Sequence, residues 1–229
     1  MSRFVAELWS DGIGAPGTVI RYGRFGRPVL VFPAEQGRAS DFEAGGMVDA
    51  VEDLIGSGRV KFYCVDSFDA ASWSNRAISL EERARQHGGY ESWVVHHVLP
   101  WIYGDCDGPL KVATLGCSLG AFHAANFALR RADLFSLALC FSGNYDTGTW
   151  HSWGERGDAA YFTNPMDYVA NLHGDHLDWL RGRVSVLLVC GQGEWEYSTG
   201  SLPSTTKFAA LLADKGIRHE LDLWGHDVP

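Results

Sequence analysis

The sequence has 229 residues, a length that commonly folds as one α/β domain. Hydrophobic residues make up 46% of the chain and charged residues 21%, which excludes a disordered or fibrous protein. The formal net charge is −9, so the composition argues against a protein that binds nucleic acid or an anionic membrane surface. We therefore expect a single domain over residues 1–229.

The sequence predicts neither a membrane-spanning helix nor a secretory leader. No apolar run is long enough to cross a bilayer, and Met1–Asp11 lacks the apolar core of a leader. The five cysteines include no CxxC pair and no zinc-like spacing, so a metal site is not expected. They are interpreted as buried, reduced thiols, which indicates a cytoplasmic protein.

The first third of the chain is predicted to be rich in strands. Phe4–Trp9 and Thr18–Tyr22 are strands joined by a short connection, which favours an antiparallel pair at one edge of a sheet. Pro28–Phe32 and Val60–Val65 read as buried strands. Between them, apolar residues from Met47 to Ile55 recur at steps of three and four, which predicts a helix.

Helices and strands alternate through the rest of the chain. The predicted elements are a helix over Tyr90–Tyr103, a strand over Leu110–Leu115, a helix over Leu119–Arg131, strands over Leu137–Phe141 and Val184–Cys190, a helix over Thr205–Lys215 and a strand over Arg218–Trp224. Residues 142–178 show little strand character and are expected to form a cap of loops and short helices. This alternation predicts an α/β fold with a mostly parallel sheet and helices on both faces.

The strongest chemical signal is a GxSxG pattern, Gly116–Cys117–Ser118–Leu119–Gly120. About one chain in ten of this length would contain it by chance, but here it joins a strand directly to a helix. That setting is typical of a nucleophile elbow, in which the serine attacks and the next backbone N–H, that of Leu119, stabilises an oxyanion. The alternative is a glycine-rich turn whose serine caps the helix.

A nucleophilic serine needs a histidine base and a carboxylate that orients it. After an elbow of this kind the acid precedes the histidine in the chain. Glu194 and Glu196 both follow the strand Val184–Cys190, and either could instead be a solvated loop residue. His226 follows the last strand, whereas His219 falls within it, so His226 is the candidate base.

The second oxyanion donor is expected in the loop that follows Pro28–Phe32. A backbone N–H of Ala34 or Glu35 is the candidate, on position alone. Four tryptophans lie in loops at the same end of the predicted sheet, where they could line an aromatic acyl pocket or simply pack the loops. They are Trp73, Trp150, Trp153 and Trp195.

A second glycine pattern, Gly12 to Gly17, matches the GxGxxG of dinucleotide-binding loops. No predicted helix follows it and Pro16 lies inside it, so a dinucleotide site is not expected. We interpret this segment as the connection between the first two strands.

The elbow, the acid loop Cys190–Glu196 and the segment Gly88–Pro100 together resemble the putative-esterase group of α/β hydrolases. That group includes S-formylglutathione hydrolase (esterase D), feruloyl esterases and mycolyltransferases. The resemblance implies an α/β-hydrolase fold, a Ser–Asp/Glu–His triad and no cofactor. A Trp-Glu pair recurs in the acid loop of the similar proteins, which favours Glu196 over Glu194.

The C-terminal segment departs from the group. Members with a similar tail continue with a His-Asp-Trp segment and a final helix, and their catalytic histidine lies in that segment. The resemblance therefore implies that the C-terminal helix is missing from this chain. Either His226 is the base, or a histidine beyond Pro229 is, or the chain as given lacks a base.

The leading functional prediction is a serine hydrolase that cleaves a small carboxylic ester or thioester through an acyl-enzyme on Ser118. An acyltransferase with the same triad, in which an alcohol or sugar replaces water, is the first alternative. A non-catalytic binding protein on a degenerate hydrolase scaffold is the second. An exposed edge strand or an absent final helix would each favour a homo-oligomer.

Overall fold

The computed structural model describes residues 2–225, and its centre is an eight-stranded sheet. The strands are β1 (Arg3–Ser10), β2 (Ala15–Tyr22), β3 (Arg27–Phe32), β4 (Val60–Val65), β5 (Val112–Cys117), β6 (Phe135–Phe141), β7 (Ser185–Gly191) and β8 (His219–Trp224). Their order across the sheet is β1-β2-β4-β3-β5-β6-β7-β8. The pairs β1–β2 and β2–β4 are antiparallel and the others are parallel. The predicted α/β fold with an antiparallel N-terminal edge is confirmed.

The connections between the strands carry the helices. They are α1 (Asp41–Ala44), α2 (Met47–Ala50), α3 (Glu52–Gly56), α4 (Leu80–Trp93), α5 (Leu99–Asp105), α6 (Leu119–Arg130), α7 (Asp158–Thr163), α8 (Pro165–Tyr168), α9 (Gly174–Arg181), α10 (Glu194–Ser198) and α11 (Ser201–Asp214). A π-helical turn, Val94–Val98, joins α4 to α5, and a 3₁₀ turn lies at Thr147–Thr149. Within residues 2–225, none of these helices has the length and apolar character to cross a bilayer.

The two faces of the sheet are covered by different helices. Along β3, Leu30 and Phe32 belong to the core that includes residues of α4 and α6. Val29 and Val31 point the other way and pack with residues of α2 and α3. This alternation follows from the two-residue repeat of a strand, and it makes β3 a buried strand with apolar residues on both faces.

The helix predicted to begin at Tyr90 begins at Leu80 instead, with the hydroxyl of Ser79 accepting the N–H of Glu82 as a cap. Two adjacent glycines within α4 concealed its first half, since glycine disfavours helix interiors. Gly89 is required by packing, because a Cβ there would stand 2.5 Å from the carbonyl oxygen of Gly12 in the β1–β2 connection. The interpretation of that connection as a hairpin turn agrees with the structure.

The predicted helix over Met47–Ile55 is two short helices in the structure, α2 and α3, and the short helix α1 precedes them. A glycine pair, Gly45 and Gly46, separates α1 from α2, and Val51 interrupts the helical backbone before α3. Of the apolar residues in the pattern, Val48 and Ile55 are buried, whereas Met47 and Leu54 are exposed. The periodicity therefore identified only part of the buried face and overestimated the length of the helix.

Residues 142–178 contain the 3₁₀ turn, α7, α8 and the start of α9, and they are tied to the body by polar contacts. The carboxylate of Glu81 on α4 accepts the backbone N–H groups of Gly157, Ala159 and Ala160. Desolvation would raise the pKa of Glu81, but these N–H groups outweigh it and lower the pKa below its usual range. The hydroxyl of Tyr168 donates to Oδ1 of Asn126 on α6 at 2.9 Å.

The packing of α6 on the sheet leads us to expect that a buried and an exposed phenylalanine differ in their contribution to stability. Phe127 is 3% exposed and its ring stacks on Phe32 with centroids 5.0 Å apart. Phe127→Ala should lower the free energy of unfolding by about 3–5 kcal/mol. Phe25→Ala is the matched control, because Phe25 is 74% exposed, and its effect should stay within about 0.5 kcal/mol. Urea unfolding measures both, and equal losses would contradict this assignment of the core.

Candidate active site

Ser118 lies in a sharp turn between β5 and α6. Its backbone has φ 56° and ψ −122°, a left-handed φ that residues other than glycine rarely adopt. The turn is held by the Ser118 N–H, which donates to the carbonyl of Phe141 on β6 at 2.9 Å. The Ser118 residue is exposed, and its hydroxyl makes no capping hydrogen bond to α6. The arrangement leaves the serine available to a ligand rather than to the helix.

The two glycines of the elbow are required by contacts between backbones. A Cβ on Gly116 would overlap the carbonyl oxygen of Gly120, one turn away. A Cβ on Gly120 would overlap the carbonyl oxygens of Phe32 and Pro33 at the end of β3. The GxSxG spacing is therefore the condition under which α6 can begin directly against β3 and β5.

The expected oxyanion donors lie on either side of this contact. Leu119 is the first residue of α6, and Ala34 follows β3, whose Phe32 is paired with Gly116 of β5. Within residues 2–225, neither the N–H of Leu119 nor that of Ala34 has an acceptor. Glu35, the other candidate on this loop, lines the cleft above Ser118. The geometry brings the elbow and the predicted donor loop together.

Ser118 lies in a cleft of about 570 Å³, within the range typical of small-molecule sites. Three of the four tryptophans singled out from the sequence line it, namely Trp73, Trp150 and Trp195. Trp73 and Trp150 also pack edge to face at 5.5 Å, so both proposed roles, lining and packing, apply to them. Trp153 does not line the cleft, and its indole N–H donates to the carbonyl of Arg76.

The two candidate acids are placed differently. Both belong to α10, directly after β7, but Glu196 lines the cleft with Ser118 whereas Glu194 is exposed outside it. The Glu196 carboxylate lies against the end of β7, where a Cβ on Gly191 would stand 2.7 Å from Oε1. Gly191 thus leaves the space that the carboxylate occupies.

The candidate base His226 lies outside the described residues. His219 is in β8, where its Nδ1 donates to the carbonyl of Ile217, and it does not line the cleft. One histidine that the sequence analysis did not single out, His151, does line it. Its backbone is left-handed, with φ 51°, a conformation that no sequence pattern around it indicates.

A buried arginine fixes the loop that carries Trp150 and His151. Arg83 on α4 is 1% exposed and donates to the carbonyls of Ile78, Trp150 and His151 at 3.2, 3.0 and 3.5 Å. Burial lowers the pKa of Arg83 below its usual value, although the side chain remains a cation at neutral pH. The buried guanidinium is therefore hydrogen-bonded to three backbone carbonyls, and two of these bonds fix the part of the cleft wall that contains Trp150 and His151.

Cys117 corrects the expectation that all five cysteines are buried. Cys64, Cys140 and Cys190 are buried, but Cys106 is half-buried and Cys117 is exposed at the cleft. The elbow turns the end of β5 toward the cleft and thereby exposes Cys117. Desolvation by its neighbours raises the pKa of the Cys117 thiol, with a further contribution from Glu196, so the thiol is not activated as a nucleophile.

Comparison with known proteins gives a family match. The model of the family described as "Putative esterase" matches residues 31–222. A search of curated proteins finds no match. The family match confirms the resemblance inferred from the elbow and acid loop.

Solved structures with the same fold include several esterases. A ferulic acid esterase is 15% identical, with a TM-score of 0.73 over 99% of this chain and 91% of its own. MPT51 (FbpC1) of Mycobacterium tuberculosis is 15% identical, with a TM-score of 0.73 over 98% and 90%. An S-formylglutathione hydrolase from Agrobacterium tumefaciens is 14% identical, with a TM-score of 0.73 over 97% and 86%. At these identities the likeness establishes the fold.

The contact at Gly120 predicts that any side chain there is harmful. Gly120→Ala should lower the free energy of unfolding by about 1–3 kcal/mol, because its Cβ forces α6 away from the end of β3. Gly104→Ala in α5 is the matched control, since a Cβ on Gly104 would meet no atom within 4 Å outside the backbone of its own helix. This substitution should stabilise the protein by up to about 1 kcal/mol. Urea unfolding compares the two, and a neutral Gly120→Ala would contradict the steric account.

Proposed function

Because the chain belongs to the putative-esterase family, we propose that it hydrolyses small carboxylic esters or thioesters through an acyl-enzyme on Ser118. The observation that carries the proposal is the exposed Ser118, held at a left-handed φ between β5 and α6 and facing an aromatic cleft. A left-handed φ is a strained conformation for serine, and strain of this kind is typical of functional sites. The strain is accounted for if the hydroxyl must project toward a substrate.

In the proposed reaction the Oγ of Ser118 attacks the carbonyl carbon while a histidine accepts its proton. The negative charge that develops on the carbonyl oxygen is stabilised by the N–H of Leu119 and by that of Ala34 or Glu35. The tetrahedral intermediate expels the alcohol or thiol, which takes the proton from the histidine. Water then attacks the acyl-enzyme while the histidine accepts its proton. The second tetrahedral intermediate releases the acid, and the histidine returns the proton to the Oγ of Ser118.

Glu196 is the proposed acid that orients the histidine. Its carboxylate lines the cleft that contains Ser118, and Glu194 does not. His226 is the proposed histidine on the order of residues along the chain, because acid and base follow the elbow in that order. Acyl transfer would use the same residues, with an alcohol in place of water, and differs in how well the cleft excludes water.

The proposed location is the cytoplasm. All five cysteines are free thiols, and no disulfide links any two of them. Reduced thiols are typical of compartments that contain glutathione and thioredoxin.

Replacement of the proposed nucleophile should abolish turnover. Ser118→Ala should lower kcat/KM for short-chain p-nitrophenyl esters by at least about 10³-fold and prevent labelling by a fluorophosphonate. Ser142→Ala is the matched control, since Ser142 lines the same cleft, and its rate should stay within about threefold of the unsubstituted protein. Equal rates for Ser118→Ala and the unsubstituted protein would refute the serine mechanism.

The same assay separates the alternatives. An acyltransferase would form the corresponding ester when an acceptor alcohol is added, in competition with the free acid. A non-catalytic scaffold would neither hydrolyse the ester nor react with the fluorophosphonate.

The two glutamates of α10 provide a paired test of the acid. Glu196→Gln should lower kcat/KM by about 10²- to 10⁴-fold, because the amide no longer stabilises the imidazolium that forms during attack. Glu194→Gln changes the charge by the same amount on an exposed residue of the same helix, and its effect should stay within about twofold. A larger effect at Glu194 would reverse the assignment.

A further inference from the structure

Behind the elbow lies a buried pair, His123 and Asp69, that the proposed reaction does not use. His123 is on α6, five residues after Ser118, and the side chains of His123 and Asp69 are 0% and 1% exposed. The Nε2 of His123 lies 3.1 Å from Oδ1 of Asp69. A carboxylate accepts hydrogen bonds, so Nε2 is the donor.

Aromatic contacts hold the His123 ring in place. Its centroid lies 5.7 Å from that of Phe32, 5.4 Å from that of Tyr90 and 5.1 Å from that of His87, on which it stacks. Burial lowers the pKa of His87, so the stacked neighbour is neutral near pH 7. The His123 ring is thus packed between three aromatic rings, with its Nε2 directed at Asp69.

Asp69 also reaches the loop that carries the second oxyanion donor. Its other oxygen, Oδ2, accepts the backbone N–H of Gln36 in a longer bond of 3.4 Å. Gln36 has a left-handed φ of 56°, so this N–H belongs to a strained turn directly after Ala34 and Glu35. One buried carboxylate thus contacts both the elbow helix α6 and the donor loop.

The segment 67–74, which contains Asp69, makes two further hydrogen bonds to the loop that follows β3. The N–H of Ser67 donates to the carbonyl of Gly37 at 3.1 Å, and the hydroxyl of Ser74 donates to Oε1 of Glu35 at 2.5 Å. The backbone carbonyl of Asp69 accepts the N–H groups of Ser72 and Ser74, which closes the segment on itself. The loop is fixed to this segment, and Asp69 connects the segment to α6.

From this connectivity we infer that Asp69 and His123 are positioning residues that set the separation of the two oxyanion donors. The inference rests on the proposed function, since it concerns the N–H of Leu119 at the start of α6 and that of Ala34 or Glu35 on the loop. An oxyanion hole works only when both donors converge on one oxygen, with tolerances of about 0.5 Å. A buried, charge-assisted bond is a stiff link of that kind.

Packing alone does not account for the pair. A buried carboxylate costs stability unless its partners compensate for lost hydration, and an apolar pair of similar volume would avoid that cost. His123 does not line the cleft, so it is not placed to exchange protons with a substrate there. A link between the two donor elements is the role that its contacts support.

Two substitutions at His123 test the inference. His123→Leu removes the donor to Asp69, whereas His123→Gln offers an amide N–H near the position of Nε2. For a p-nitrophenyl ester, His123→Leu should lower kcat by about 10- to 100-fold with KM within about threefold. His123→Gln should recover kcat to within about fivefold. Thermal unfolding of both variants verifies that folded protein is compared.

The inhibition constant of a transition-state analogue distinguishes a misplaced oxyanion donor from a general packing defect. A trifluoromethyl ketone adds to Ser118 as a hemiketal whose oxyanion occupies the hole. Its inhibition constant should rise in His123→Leu by the same factor by which kcat falls. If His123→Leu does not fold, Asp69→Asn tests the inference instead. An amide nitrogen cannot accept a hydrogen bond, so this variant would lose the bond from His123 or the bond from the Gln36 N–H. For this variant kcat should again fall while KM stays unchanged.

The outcomes separate this inference from the proposed function. Loss of activity in Ser118→Ala establishes the serine mechanism independently of His123. With that established, a folded His123→Leu or Asp69→Asn that keeps kcat within twofold would overturn the inference. So would a His123→Gln variant as impaired as His123→Leu. Unchanged turnover in Ser118→Ala would instead refute the proposed function.

Discussion

The start of α6 lies so close to the end of β3 that backbone touches backbone. Gly120 faces the carbonyls of Phe32 and Pro33, and Gly116 faces Gly120, with no space for a side chain at either contact. This approach forces Ser118 into its left-handed conformation and sets the donor loop beside the N-terminus of α6. The elbow, the cleft and the core all depend on the absence of these two Cβ atoms.

The helix that supplies the site also supplies the centre of the core. Further along α6, the carbonyl of Ala124 accepts the hydroxyl of Thr114 from β5 at 2.8 Å, and Phe127 stacks on Phe32. These contacts over-determine the position of the helix, so the strain at Ser118 is offset by packing one and two turns away. Stability and the geometry of the candidate site are therefore coupled through one element.

The sequence was sufficient for the features that depend on local pattern. The alternation of strands with helices predicts the parallel sheet, and the elbow with its flanking strand and helix predicts the position of Ser118. Contacts between distant residues left no such pattern. His123 and Asp69 are 54 positions apart, and Arg83 meets the carbonyl of Trp150 from 67 positions away. The first half of α4 was missed for a similar reason, since Gly89 is required by its contact with Gly12, which is distant in the sequence.

The anchoring of residues 142–178 has a consequence for how substrates are selected. Glu81 holds the first turn of α7, and Arg83 holds the loop of Trp150 from beneath, so the wall of the cleft is ordered before any ligand arrives. Association then carries no entropic penalty for folding a lid, and binding free energy is not diverted to that step. Discrimination among esters then depends on shape, because an ordered wall does not rearrange to accept a bulkier substrate.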